Sequence, residues 1–321
     1  MMLLTAKNIE DKILENWTEY QYLFLEFQSK FLSDLYSRYQ SVENGNLVLY
    51  FAKETHQNIL RKKDYDLNFD ISYYKFWENH SEINPERKSL IKISEDILLP
   101  KETARRKVLE LIQQKVLNKK KRNIGWLPNE QYKKNYNLFI DKEINSVCKL
   151  ISYVCEKINL SISREEITKK IKDKFSFFWF HYLETQLVYL RLWSKQLNDL
   201  ELALIFIQVV HLFVSRAKEK NLSHKDIYDD PSLLKEYIST SISATSVSEV
   251  TGIPRATCVR KLEVLAKMKF VTQDKISKRY YITPNVASDD LIPRKITEKV
   301  VASFSIFFFI CLRAINAKTL S

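Results

Sequence analysis

The sequence predicts a mainly α-helical protein, and three observations lead to that prediction. The chain has 321 residues, of which 45% are hydrophobic and 28% charged, so it carries enough apolar material to bury a core. It contains only Gly45, Gly125 and Gly252, whereas large α/β and all-β folds use glycine at many turns. Long stretches also repeat apolar and aromatic residues at three- and four-residue steps, as at Phe27 and Phe31, which is typical of amphipathic helices.

The composition argues against several classes of enzyme and metalloprotein. Three separated glycines cannot form the glycine-rich phosphate loop of a Rossmann or P-loop enzyme. No two cysteines have C-x-x-C spacing and the five histidines form no H-E-x-x-H motif, so we expect neither a metal site nor a cofactor. The sequence also shows no set of nucleophile, base and orienting residue, so we predict a protein that is not an enzyme.

The cysteine count and the apolar stretches indicate a location. Four cysteines are too few for a disulfide framework in a chain of this length, which favours a reducing cytoplasm. The first residues lack the apolar segment of a signal peptide. The most apolar stretch, 300–312, has thirteen residues, whereas a membrane span needs about 18 to 20. We therefore predict a cytoplasmic protein with no membrane partner, and a buried helix at 300–312.

The chain contains an internal repeat. Residues 93–108 lie 154 positions before 247–262, and Ser, Glu, Pro, Thr, Arg and Lys recur in register between the two segments. Further matches upstream and downstream have offsets of 155 and 156 residues. Because these blocks are collinear, we predict a duplication with one copy at 1–160 and the other at 161–321.

Each copy is expected to begin and end with long packing helices. Ser163 to Glu166 forms a capping box that starts a helix in copy two, and Gly45 is expected in a turn of copy one. Shorter helices are expected to begin at Asn84-Pro85 and Asp230-Pro231. His56 and His211, at equivalent positions, are interpreted as packing residues. The expected long helices cover 10–39, 47–61, 139–158, 164–197 and 296–315.

The repeated block of copy two has the pattern of a helix-turn-helix. A short helix is expected over 246–251, then a turn in which Gly252 takes a positive φ and Ile253 fills the core. A second helix over 255–268 would bury one face, formed by Cys258, Leu262 and Leu265. Two strand-like runs, 270–273 and 280–283, then flank a basic turn and predict a β-hairpin.

Residues 252–262 resemble the G-I-S/P-R-x-T-h-x-R-x-L pattern of bacterial winged helix-turn-helix regulators of the MarR and IclR types. The resemblance implies a three-helix core with a small β-wing in each copy, and a recognition helix that begins at Lys101 or Arg255. The predicted fold is therefore mainly α, with two winged helix-turn-helix units joined by long packing helices. Copy one departs from the pattern, because Leu98 replaces the turn glycine and Glu102 replaces a small residue, so direct base reading by copy one does not follow from it.

The charge distribution favours a nucleic-acid partner. Lysine and arginine total 51 against 39 acidic residues, which gives a net charge of +12. Cations are expected on the outer face of each recognition helix, including Lys107 and Lys261. The predicted contacts of the recognition helices are Lys101, Thr103, Arg105, Arg106, Arg255, Thr257, Val259 and Arg260. Those of the wings are Lys119, Lys120, Lys121, Arg122, Lys275, Lys278 and Arg279.

We therefore predict a sequence-specific binder of double-stranded DNA, acting as a transcription regulator and a single-chain pseudo-dimer on an asymmetric operator. Two alternatives remain open: a tandem winged-helix protein that binds another protein in chromosome architecture, and a plasmid-type replication initiator. Self-association through the long helices is a further expectation. The sequence identifies no small-molecule effector.

Overall fold

The computed structural model describes residues 4–83, 88–219, 238–283 and 292–315, and this part of the chain is mainly helical. The two helix starts predicted at Asn84-Pro85 and Asp230-Pro231 lie outside the described residues. In the first half of the chain the elements are α1 (Ala6–Glu15), α2 (Trp17–Tyr39), α3 (Val42–Tyr65), a 3-10 turn (Tyr73–Lys75), α4 (Phe76–Ile83), β1 (Lys88–Ser89), α5 (Leu90–Asp96), α6 (Lys101–Gln113), β2 (Leu117–Lys120), β3 (Asn123–Trp126) and α7 (Glu130–Lys157).

The second half of the described chain repeats long helices, two short helices and a hairpin. Its elements are α8 (Arg164–Asp173), α9 (Phe175–Leu197), α10 (Leu200–Glu219), α11 (Ala244–Thr251), α12 (Arg255–Lys267), β4 (Val271–Gln273), β5 (Tyr280–Ile282) and α13 (Ile292–Ile315). As predicted, Ser163 caps α8, and its side-chain oxygen accepts a hydrogen bond from the backbone N–H of Glu166.

Two predictions about the long helices were wrong. The helix expected over 10–39 is interrupted at Asn16, and the one expected over 164–197 is interrupted at Lys174. Apolar periodicity did not reveal these breaks because the helices on both sides of each break bury an apolar face. Gly45 does not lie in a turn either: it is buried within α3, and the residue that ends α2 in a left-handed conformation is Gln40, with φ 56°.

The chain forms two compact units, and each is described by itself. Unit 1 comprises the described residues within 1–12, 43–191 and 301–321, and unit 2 those within 13–42 and 192–300. Each unit therefore takes segments from both sides of the boundary predicted at residue 160.

Unit 1 has an aromatic core beside a small sheet. His56 packs between Phe76 and Phe175, with ring centroids 4.6 and 5.1 Å away, as predicted for a packing residue. Trp126 at the end of β3 is fully buried against Tyr136 of α7. The sheet has the order β1-β3-β2 with antiparallel neighbours.

Unit 2 is built around α10, which is buried along most of its length against α2 and against the two short helices α11 and α12. The amide of Gln208 donates a hydrogen bond of 2.7 Å to the hydroxyl of Ser29 on α2. Phe206 stacks edge-on with Phe270, at the start of the hairpin, with centroids 5.1 Å apart. This packing fixes the short helices and the hairpin on one side of α10.

The apolar stretch 300–312 forms a helix within α13, and its side chains are largely buried, as predicted. Within the described ranges, no single helix is long and apolar enough to cross a membrane. Residues 175–197 and 200–216 meet that criterion only when they are counted together across the break that separates them.

Candidate nucleic-acid interface

The turn between α11 and α12 has the predicted conformation. Gly252 takes φ 74°, and its backbone N–H donates a 2.8 Å hydrogen bond to the carbonyl of Ser248. Ile253 is fully buried, and Pro254 precedes the first residue of α12 with φ −54°. Gly252 thus ends one helix in the left-handed region that glycine tolerates best, which lets Arg255 begin the next helix.

Helix α12 buries the predicted face and exposes the opposite one. Cys258, Leu262 and Leu265 are all 0% exposed. The Cys258 thiol donates to the carbonyl of Ile253 at 3.4 Å, and burial raises its pKa, which fits a packing residue. Of the predicted contact residues on this helix, Arg255 and Arg260 are exposed, whereas Thr257 and Val259 are half-buried.

Lys261 does not face outward, so the prediction for this residue was wrong. Its side chain is 9% exposed, and its ammonium group lies 2.5 Å from Asp199 and 3.1 Å from Glu201. Burial disfavours the charge, but the hydrogen bonds and charges of these two carboxylates outweigh it and raise the pKa of Lys261. Helical spacing already placed this residue on the buried face, three positions after Cys258 and four before Leu265.

Sequence reasoning also missed a residue that orients Arg255. The Arg255 guanidinium donates a 3.1 Å hydrogen bond to the hydroxyl of Thr245, which lies in the first turn of α11. The turn between the two helices brings these residues together, and no spacing rule within one helix links them. Thr245 therefore holds the arginine at the exposed N-terminal end of α12.

The hairpin of unit 2 has strands within one residue of the predicted ones, and hydrogen bonds hold its turn. Asp274 organises the turn, because its carboxylate accepts a 2.6 Å hydrogen bond from the Ser277 N–H and its own N–H donates to the carbonyl of Arg279 at 2.8 Å. Exposed side chains surround this turn: Lys275, Ile276, Lys278 and Arg279.

In unit 1, α5 and α6 form the corresponding pair of helices. Leu98 takes φ 56° at the position of Gly252, which is an uncommon conformation for a residue with a side chain. Ala104 is fully buried at the position of Cys258. On α6, Lys101 and Arg106 are exposed and Thr103 is half-buried.

Two of the predicted cations on α6 form ion pairs with acidic residues of the same helix. Glu102 accepts hydrogen bonds of 2.6, 2.9 and 3.1 Å from the guanidinium of Arg105, although both side chains are more than half exposed. Lys107 was predicted to face outward, but its side chain is only 13% exposed and its ammonium group lies 3.6 Å from Glu110. Like Lys261, Lys107 lies three residues after the buried small residue of its helix.

The hairpin of unit 1 carries four exposed cations, but only two of them lie in its turn. Strand β2 continues through Lys119 to Lys120, which pairs with Asn123, so only Lys121 and Arg122 form the turn. The positive φ of Lys121, 55°, makes this two-residue connection feasible. All four cations, from Lys119 to Arg122, remain exposed.

A shallow depression in unit 1 joins the helix to the hairpin. It has a volume of about 260 Å³, and its walls include Lys101 and Arg105 of α6 together with Lys119 and Arg122 of the hairpin. Apolar side chains of α6 also line it, among them Leu109, which is 41% exposed. The structure thus brings four predicted contact residues to one surface, although they come from two sequence segments.

In the described ranges, no group of three or more His, Cys, Asp or Glu residues is arranged to hold a metal ion. No family model, curated protein or solved structure matches the chain. The proposed function therefore rests on the geometry of α6 with its hairpin in unit 1 and of α12 with its hairpin in unit 2.

Proposed function

We propose that this protein binds double-stranded DNA sequence-specifically, as two winged helix-turn-helix units within one duplicated chain. One observation carries the proposal. In each unit, a helix with exposed cations in its first turns lies next to a hairpin that presents exposed cations at its turn. A helix of this kind fits the major groove, and cationic side chains at a hairpin turn suit the adjacent phosphates. The shared order of short helix, short helix and hairpin supports the duplication.

The two units differ in what they offer to DNA. On α12, Arg255, Thr257 and Arg260 are accessible, and its first turn contains no acidic residue. On α6, Glu102 holds Arg105 and adds a negative charge. We therefore assign base reading mainly to α12, where an arginine can pair with guanine O6 and N7. Unit 1 would contribute mainly phosphate contacts through its four hairpin cations.

Selection of bound sequences from a random DNA pool by the full chain tests this assignment. We expect one enriched motif, recovered as an asymmetric site. Arg260→Ala should relax the preference at one position of the motif, at a cost of about 1–3 kcal/mol for the preferred base. Arg164→Ala changes an exposed arginine of α8, which belongs to neither the proposed reading helices nor the hairpins, and serves as the matched control. Enrichment of iterated direct repeats would instead favour a replication initiator, and no enrichment would contradict sequence-specific binding.

A second function, recognition of a protein by unit 1, is favoured by the apolar side chains beside α6. Ile91 and Leu109 are 55% and 41% exposed and line the same depression as the cations. An Ile91→Ser variant separates the two functions. Unchanged DNA affinity together with loss of a stable protein partner would favour the interaction protein.

A further inference from the structure

The depression between α6 and the hairpin of unit 1 has an apolar side that the DNA proposal does not explain. Ile91 and Leu109, two of the residues that line it, are 55% and 41% exposed. Phosphates are bound by cationic and polar groups and gain little from large apolar side chains. Exposed apolar residues within a polar rim are instead typical of a surface that another protein covers.

Unit 2 has no such apolar pair at the corresponding positions. Helices α11 and α12 begin 154 residues after α5 and α6. At that offset, Thr245 corresponds to Ile91 and Glu263 corresponds to Leu109, and both residues of unit 2 are exposed. Because we assign base reading mainly to α12, DNA binding does not require apolar residues at these positions. The apolar side of the depression therefore indicates a use that is specific to unit 1.

Cations surround the apolar side chains. The depression is also lined by Lys101 and Arg105 of α6 and by Lys119 and Arg122 of the hairpin, and none of the described residues that line it is acidic. Glu102 forms an ion pair with Arg105. The other three cations form no ion pair among the residues that the structure describes. A partner that covers the apolar side chains therefore needs carboxylates for these three cations.

The size and shape of the depression suit a short protein segment. Its volume of about 260 Å³ is below the roughly 300–1,000 Å³ of small-molecule pockets. It follows one face of α6, where Lys101, Arg105, Leu109 and Ile112 recur at four- and three-residue steps. The helix axis rises by about 16 Å over this stretch, a length that about five extended residues or about three helical turns would cover.

We propose that this depression binds a short acidic segment of another protein. The apolar side chains of the segment contact Ile91 and Leu109, and its carboxylates pair with Lys101, Lys119 and Arg122. This inference rests on the second proposed function, recognition of a protein by unit 1, and defines the chemistry of the partner. The segment does not bind unit 2 in the same way, because the corresponding surface there is less apolar and carries an exposed glutamate on α12.

The segment and DNA would exclude each other from unit 1. Lys119 and Arg122 serve as phosphate contacts in the proposed function and as carboxylate contacts here. The reading helix α12 takes no part in binding the segment. A bound segment should therefore weaken the DNA affinity of the full chain without changing the preferred DNA sequence.

Peptide selection tests the chemistry of the partner. The full chain, free of DNA, is used to select from a displayed library of random peptides of about twelve residues, long enough for about three helical turns. We expect enriched peptides that combine apolar residues with several Asp or Glu residues. No enrichment, or enrichment of peptides that lack either apolar or acidic residues, would overturn the proposal.

Apolar variants localise the binding. Ile91→Ser and Leu109→Ser should each lower the affinity for an enriched peptide about tenfold or more, measured by fluorescence anisotropy. Leu138→Ser removes a leucine of α7 that is 65% exposed, and should leave the affinity unchanged. All three side chains are exposed, so we expect each variant to fold, which circular dichroism checks. Equal affinities of the three variants would overturn the proposal.

A pair of double variants separates this site from a general attraction to a basic protein. Lys119→Gln with Arg122→Gln should lower the peptide affinity about tenfold or more at low salt. Lys134→Gln with Lys142→Gln removes two exposed lysines of α7 and should lower it less than about twofold. If both double variants lose the same affinity, net charge alone attracts the peptide and the proposal is wrong.

The tests of peptide binding and of DNA binding can fail independently. Peptide binding is measured without DNA, so the absence of DNA binding would remove the DNA proposal and leave the peptide result standing. If no peptide is enriched, the DNA proposal is unaffected. Saturating peptide should weaken binding of the selected duplex and make its dependence on salt shallower, because phosphate contacts are lost. Unchanged DNA affinity would overturn the shared use of Lys119 and Arg122.

Discussion

The ammonium group of Lys261 lies 2.5 Å from the carboxylate of Asp199, which fastens α12 to the start of α10. Asp199 also accepts a 2.9 Å hydrogen bond from the N–H of Glu201 in the first turn of α10. The pair therefore fixes the orientation of the proposed reading helix, although we had predicted that Lys261 faces outward.

Lys261→Met should lower the free energy of unfolding by about 1–3 kcal/mol. This loss is smaller than that expected when a fully buried ion pair is broken, because the Asp199 side chain is one-third exposed. The change leaves Asp199 and Glu201 close together without their cation. The free energy of unfolding in urea measures the loss. Lys275→Met, in an exposed turn, is the matched control and should change stability by less than about 0.5 kcal/mol. Equal effects of the two changes would contradict the role assigned to Lys261.

The equivalent turn residues Gly252 and Leu98 should respond to substitution in opposite directions. Gly252→Ala should cost about 1 kcal/mol, because φ 74° strains any residue with a side chain. The added carbon would meet Tyr36 only at 3.9 Å, an ordinary contact, so backbone strain is the cause. Leu98→Gly should stabilise by up to about 1 kcal/mol, since Leu98 holds φ 56° and is 44% exposed. Thermal unfolding of both variants tests the pair, and a destabilised Leu98→Gly protein would show that its side-chain packing outweighs the strain.

Two buried histidines should make the protein sensitive to acid. Burial lowers the pKa of His56 to about 3 and that of His80 to about 4, below the ordinary value of 6.5. The unfolded chain therefore binds protons more readily than the folded chain below pH 6.5. The contribution of these histidines to the free energy of unfolding is fully present above pH 6.5 and is lost as the pH falls towards their pKa values in the folded protein. The expected loss between pH 6.5 and 5 is on the order of 2–4 kcal/mol.

Chemical denaturation at pH 7 and pH 5 measures this loss. His56→Phe should reduce the acid dependence of stability by about half, because it removes one of the two buried histidines. Phenylalanine suits this position, since the ring packs between Phe76 and Phe175 and neither ring nitrogen has a hydrogen-bond partner among the described residues. His211→Phe is the control, because His211 is only partly buried and its pKa is less strongly lowered. An unchanged pH dependence in His56→Phe would contradict the assignment.

Glu102 should limit the affinity of unit 1 for DNA. Glu102→Gln removes an exposed negative charge and releases Arg105, so we expect tighter binding at low salt. Anisotropy titration of a labelled duplex measures the change. Glu130→Gln, which also removes an exposed carboxylate paired with a lysine three residues away, should leave affinity nearly unchanged. If both variants bind alike, the charge of Glu102 does not act at the DNA surface.

Local chemistry predicted much of the fold. The positive φ of Gly252, the burial of Cys258, the cap at Ser163 and the second hairpin follow from neighbouring residues, so a single sequence was sufficient. The breaks at Asn16 and Lys174 did not follow, since the apolar pattern continues through them.

Features that depend on distant residues could not be predicted. Lys261 meets Asp199, and Arg105 and Arg122 line one depression, only after the chain has folded. The same is true of a cavity of about 390 Å³ in unit 1, whose walls combine Asn46 with Arg191. Residue type and spacing indicated where cations occur, but not which of them would form an ion pair with a carboxylate.

The salt dependence of DNA affinity tests the central claim most directly. The logarithm of the binding constant of the full chain for its selected duplex should fall linearly with the logarithm of salt concentration. Simultaneous replacement of the four hairpin cations, Lys119 to Arg122, by glutamine should make that slope shallower by about three to four, because each phosphate contact contributes close to 0.9. Affinity that does not change with salt, or a slope that the four replacements leave unaltered, would contradict the account.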